Sequence, residues 1–164
     1  MRRFAGVGVA VLSLALTGTY AGAKTSHLGW PEITGDLKMH KRDQNGTLRA
    51  TKHRRHNKLL GGHGNDTIIA GKVGDVLWGD YKPSGQPTGQ VDRIRGGPGK
   101  DFIYASHGQN YIHAGGGADQ IHAHFGRGAI WCGRGDVTVF VSHRSRARYQ
   151  LHGCERLSYK TLGY

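Results

Sequence analysis

The sequence predicts an all-β solenoid: a right-handed parallel β-roll or β-helix with nine-residue half-turns and eighteen residues per coil. Three observations predict it. An aliphatic residue returns at Ile68, Leu77, Ile94, Ile103, Ile112, Ile121, Ile130 and Val139, always nine apart except for seventeen between Leu77 and Ile94. Two residues ahead of each stands Asp66, Asp75, Asp92, Asp101, Asn110, Asp119, Gly128 or Val137. Glycines crowd the positions before those. A fixed period this short means that each unit stacks on its neighbours. A Gly-rich linker would not hold an aliphatic in register.

Each unit is justified locally. Glycines supply the backbone angles of a tight turn and let neighbouring backbones approach closely. The three residues centred on the aliphatic form a short strand, with one side chain inward and two outward. Strands eighteen residues apart stack in parallel at about 4.8 Å, so two short-stranded sheets enclose a thin aliphatic core. The step of seventeen is one beat plus an eight-residue insertion. Residues 80–90 (DYKPSGQPTGQ) carry it, and Pro83, Gly85, Pro87 and Gly89 make it an exposed loop.

The units GGHGNDTII (61–69), GGPGKDFIY (96–104) and AGGGADQIH (114–122) carry the pattern most fully. They resemble the haemolysin-type (RTX) calcium-binding repeat, here in degenerate, stand-alone form. A weaker copy precedes them around Asn57 and Leu59. The resemblance implies Ca²⁺ held between successive coils by the repeat Asp and by carbonyls of the Gly-rich turns, oxygen ligands suited to a hard cation. One side of the roll keeps three successive carboxylates, Asp75, Asp101 and Asp119. The other runs Asp66, Asp92, Asn110, Gly128 and loses charge. The Asp101–Asp119 pair is therefore the first candidate site, Asp75–Asp101 the second and Asp66 the third. By resemblance, carbonyls of Gly96, Pro98, Gly115 and Gly117 complete the first cage, and about one to three ions are expected. Lys72, Lys100 and Arg134 lie in or beside these turns and oppose a cation, so a metal-free roll is the competing expectation.

Residues 1–23 read as a signal peptide: Arg2 and Arg3, an apolar run from Val7 to Leu16 too short to span a bilayer, and Ala21-Gly22-Ala23 as cleavage site. The expected localisation is secreted and extracellular, with no membrane span. The whole chain carries 23 basic and 11 acidic residues, net +12. Removing residues 1–23 takes two arginines and no acids, which leaves net +10. That excess favours acidic polymers or glycans of a cell surface as partners, with nucleic acid not the expected one in vivo. Oligomeric state is not legible. Cys132 and Cys154 should pair in an oxidising compartment.

The remaining chain divides into a terminal cap and basic segment (24–57), the roll (58–140) and a basic tail with the disulfide (141–164). Ile33, Leu37 and Met39 suit a short hairpin cap. The tail loses the beat, and the disulfide would fold it over the open end. On one sheet the outward positions Trp78, Tyr104, His122 and Phe140 stack as an aromatic ladder with Phe102 beside it. The ladder is either a ligand face or is covered by a terminal segment.

No catalytic motif appears, and the expectation is a non-enzymatic calcium-binding module with a structural or binding role. Two alternatives differ in class. One is a small hydrolase acting on a polyanion through His107, His124 or nearby carboxylates. The other is a polyanion-binding protein without calcium.

Overall fold

A computed structural model describes residues 29–40, 44–81 and 87–161. The region read as a signal peptide and the tip of the insertion lie outside them. No helix among the described residues is long and apolar enough to cross a membrane.

Among the described residues, thirteen strands alternate between two parallel sheets. One sheet stacks β1 (Leu37–Met39), β3 (Lys58–Leu60), β5 (Val76–Trp78), β7 (Phe102–Tyr104), β9 (Gln120–Ala123), β11 (Thr138–Val141) and β13 (Arg156–Ser158). The other stacks β2 (Gly46–Arg49), β4 (Asp66–Ile69), β6 (Val91–Arg95), β8 (Gln109–His113), β10 (Arg127–Trp131) and β12 (Tyr149–His152). The register is the one the beat predicts. Ile68 pairs with Ile94, Ile94 with Ile112 and Ile112 with Ile130 on one sheet. Leu77 pairs with Ile103, Ile103 with Ile121 and Ile121 with Val139 on the other. These aliphatics are fully buried and form one continuous core. Each contributes about 1.5–3 kcal/mol of burial relative to exposure.

The roll is longer than the sequence reading of 58–140. Its termini add coils instead of separate caps. Leu48 lies on Ile68, and Lys38 on Leu59. At the far end Leu151 lies on Ile130 and Leu157 on Val139. These copies escape the beat because their turns differ in length. Leu48 and Leu59 are eleven residues apart, and Val139 and Leu151 twelve. The helical turn α1 (His143–Arg146), closed by a reciprocal Ser142–Ser145 capping box, occupies part of that longer connection.

The expected N-terminal hairpin is therefore corrected. β1 and β2 each pair in parallel with a later strand, and Leu37 and Met39 point outward and are exposed. The inward position of β1 belongs to Lys38, whose Nζ donates to the Arg49 carbonyl at 2.8 Å. A cation where every later coil has an aliphatic closes the core against a further strand. Ile33 packs instead on the Val76, Phe102 and Tyr104 cluster. At the other end the Cys132–Cys154 disulfide ties the last coil to its predecessor.

Gln90 closes the neck of the insertion by donating from Nε2 to Asp80 Oδ2 at 2.8 Å, and both residues are buried. The loop thus leaves the roll without breaking the Ile68–Ile94 register.

Candidate calcium-binding turns

The turns stack as closely as their glycines allow. Gly115 and Gly117 both have φ of +99°, a conformation that disfavours any side chain. A Cβ on Gly117 would stand 2.4 Å from the Gly99 carbonyl oxygen, and one on Gly115 would stand 2.2 Å from that of Gly97. The carbonyl oxygens of Gly96 and Pro98 lie 3.2 and 3.7 Å from the Cβ positions of Gly115 and Gly116. Turn 96–101 therefore lies directly beneath turn 114–119, as the first candidate site requires.

The carboxylates form a column of linked hydrogen bonds. Asn57 N–H donates to Asp75 Oδ1 at 2.6 Å, Asp75 N–H to Asp101 Oδ1 at 2.7 Å, and Asp101 N–H to Asp119 Oδ1 at 2.8 Å. The second oxygen is bound within its own turn: Gly71 N–H donates to Asp75 Oδ2, and Gly97 N–H to Asp101 Oδ2, both at 2.6 Å. Asp119 is different. Its Oδ2 is buried and has no hydrogen-bond partner. The residue four before it is Gly115, and the left-handed turn there replaces the amide contact its predecessors make.

Burial of these acids is costly. It pushes the Asp101 carboxyl up to about 8, against amides of Gly97 and Asp75 that pull it down, while the Asp119 and Asp75 charges raise it further. Burial likewise raises Asp119 to about 7, opposed by the Asp101 amide. A nearby cation reverses this balance, because it favours the charged form.

The third candidate, Asp66, is already occupied. Its Oδ1 lies 2.7 Å from His40 Nδ1 and its Oδ2 accepts from Gly62 N–H at 3.0 Å. The sequence reading missed this histidine, which sits far outside the repeat. It also passed over Asp92, one coil on. Asp66 N–H donates to Asp92 Oδ1 at 3.0 Å, while Asp92 Oδ2 is buried with no partner. Burial raises the Asp92 carboxyl to about 7, against the Ser106 hydroxyl and the Asp66 amide that pull it down, while the Asp66 and Asp80 charges add to the rise. The signal was present: Pro87 and Thr88 stand where the repeat puts its first two glycines, the second of which, as Gly62, Gly71 and Gly97, donates its amide to the acid four residues on. On the next coil Asn110 replaces the acid and is satisfied throughout by Ser106, Gly108 and Tyr149.

Among the described residues no group of three or more His, Cys, Asp and Glu side chains converges as a metal site. A transition-metal centre of that kind is not present there. A hard cation needs six to eight oxygens, so most of them would come from turn carbonyls. The fully buried, unbonded Asp119 Oδ2 between two carbonyl-rich turns fits such an ion.

The aromatic ladder forms, but not as an exposed ligand face. Trp78, Tyr104, His122 and Phe140 stack at centroid distances of 4.3, 4.5 and 4.8 Å. Tyr104, His122 and Phe140 are buried and Trp78 is half-buried. Trp30 crosses the stack edge-on and donates from Nε1 to the Tyr104 hydroxyl at 2.8 Å. The segment before β1 therefore covers Trp78 and Tyr104, as one of the two sequence expectations held. His107 and His124 do share a cleft, of about 620 Å³, beside α1. Among the described residues no Asp or Glu lines it, and burial lowers the basicity of His124.

A thin two-sheet parallel roll with glycine turns and a buried acid column defines a class, the nonapeptide-repeat β-roll. Residues 55–80 and 88–121 match the family model described as the RTX calcium-binding nonapeptide repeat, in four copies. Those two segments carry repeats of this family's type. Comparison with curated proteins and with solved structures found no match. The matched residues include Asp66, Asp75, Asp92, Asp101 and Asp119 but stop before β10 to β13.

Proposed function

We propose that this protein is a secreted, calcium-stabilised β-roll acting as an extracellular structural or binding module, with acidic polymers or glycans of a cell surface as its partners. The observation that carries the calcium part is Asp119 Oδ2, buried and unbonded between turns 96–101 and 114–119. Asp101 and Asp119, with carbonyls of Gly96, Pro98, Gly115 and Gly117, would hold the first ion. When bound, calcium supplies the positive charge that keeps buried carboxylates ionised. The chain's own part is to bring two turns into contact, exclude water from the acids and hold Asp119 Oδ1 on the Asp101 amide. Because those turns meet only in the stacked coil, binding free energy becomes folding free energy. Asp92 Oδ2 supports a second ion on the opposite side of the roll.

Three features support export: the apolar leader with its small-residue cleavage site, the disulfide and the strong positive charge. The buried acids make calcium the preferred reading over the metal-free one. Thermal melting with millimolar Ca²⁺ and with chelator tests it. A rise with calcium supports the proposal, and identical melts overturn it.

A further inference from the structure

Parallel sheets are usually covered on both faces. The seven-stranded sheet is partly covered by Trp30. On the six-stranded sheet, among the described residues, the larger outward side chains stay exposed or half-buried. Its outward residues form two columns running along the coil axis. One column passes Arg49, Ile69, Arg95, His113, Trp131 and His152, one residue per coil. The neighbouring column includes Arg93 and Tyr111 on adjacent coils, with the guanidinium carbon 5.6 Å from the ring centroid. Arg49, Arg93, Arg95, His113 and His152 are exposed, and Tyr111 and Trp131 half-buried.

The charge pattern on this face is one-sided. The two acids in its strands, Asp66 and Asp92, point inward and are buried. No outward position of the sheet, among the described residues, carries a carboxylate. Arg49, Arg93 and Arg95 therefore meet no acid of their own sheet. Such a surface attracts anions, and its net effect adds to the charge of the whole chain.

The aromatic part narrows the ligand. His113, Trp131 and His152 stack at 4.3 and 5.0 Å with planes within 8° of parallel. Their facing surfaces are used against each other. A nucleobase needs an open ring face to stack on, and the inner ring faces of this ladder offer none. What such a ladder presents outward is ring edges, which carry the positive end of the aromatic quadrupole. Edges and guanidinium groups both suit anionic oxygens. The face also extends over six hydrogen-bonded strands, spaced about 4.8 Å apart. A stiff polymer laid across it gives up little conformational freedom, and repeated anions along it engage successive coils.

We infer that the outer face of the six-stranded sheet, centred on Arg93, Arg95, His113 and Trp131, is a binding surface for an acidic polysaccharide lying along the coil axis. This rests on the reading of acidic polymers as partners and assigns them a place. It does not depend on which turns hold calcium.

The test uses the full chain in calcium, with dextran sulfate as probe, neutral dextran as uncharged control and a single-stranded oligonucleotide as the competing polyanion. Arg93→Gln/Arg95→Gln is compared with Arg54→Gln/Arg55→Gln, which removes equal charge from an exposed turn elsewhere. All three proteins are melted first to confirm equal folding. The sheet variant should lose about tenfold or more in dextran sulfate affinity and show a shallower salt dependence, while the turn variant stays within about twofold. Equal losses in both variants would show diffuse attraction and overturn the assignment. So would equal binding of neutral dextran, or tighter binding of the oligonucleotide. If the wild type binds no dextran sulfate at low salt, the acidic-polymer partner itself falls as well, whereas the calcium reading stands on its own melting experiment.

Discussion

Asp101 and Asp119 occupy the same position on successive coils, and the Asp101 amide donates to Asp119 Oδ1 at 2.8 Å. The link leaves Asp119 Oδ2 buried and unbonded. Its equivalents on Asp75 and Asp101 each accept an amide from their own turn. One carboxylate column thus ends in an open acceptor, and that asymmetry ranks the turns.

Calcium response should follow that ranking. Asp119→Ala should remove most of the calcium-induced rise in melting temperature. Asp66→Ala should remove little, because both oxygens of Asp66 are engaged by His40 and Gly62. Asp92→Ala should fall between them. Melting each variant with and without millimolar calcium checks the order, and a larger loss in Asp66→Ala than in Asp119→Ala contradicts it.

The chelated protein should be more stable in mild acid than at neutral pH. The Asp101 carboxyl is near 8 when folded, raised from an ordinary 3.8, and Asp92 and Asp119 are near 7. Between those limits the folded state binds more protons than the unfolded one. Stability from these groups is therefore full below about pH 4 and is lost as pH rises through 7 to 8. Melting in chelator from pH 5 to pH 8 should show a falling midpoint. Calcium should reverse or flatten the slope, because its ligands must be deprotonated. A midpoint in chelator that rises toward pH 8 contradicts this.

Much of this was legible in the sequence. The nine-residue spacing gave the strands around Ile68 through Val139, their alternation between sheets and the pairing of Asp101 with Asp119. It failed where turns change length. Leu48, Leu151 and Leu157 keep the strand register yet break the count, so the first and last coils read as caps. Spacing also says nothing of long-range cover. Trp30 reaches Tyr104 across 74 positions, and His40 reaches Asp66 across 26. Which sheet is covered could not be read for that reason.

Ile112 should be the most informative core position, being fully buried at the middle of its sheet between Ile94 and Ile130. Ile112→Ala should cost about 2–5 kcal/mol of unfolding free energy. Ile112→Asp should cost more, because it leaves a buried charge unpaired. Denaturant unfolding measures both, and a wild-type midpoint for the Asp variant would show the register to be wrong.

The disulfide should act on the last coil. Cys132→Ser/Cys154→Ser closes no loop and should lose about 3 kcal/mol in the chain-entropy account. The loss should appear first as exchange of amides in β12 and β13, since those strands form the terminal coil. Uniform exchange along the roll would contradict that placement.

Calorimetric titration of calcium into the chelator-stripped protein is the most direct test of the central claim. The account predicts saturable uptake of about one to three ions, weakened more by Asp119→Ala than by Asp66→Ala. Absence of binding heat at several temperatures, together with a melt unchanged by chelator, would contradict it and leave a roll held by its aliphatic core and disulfide alone.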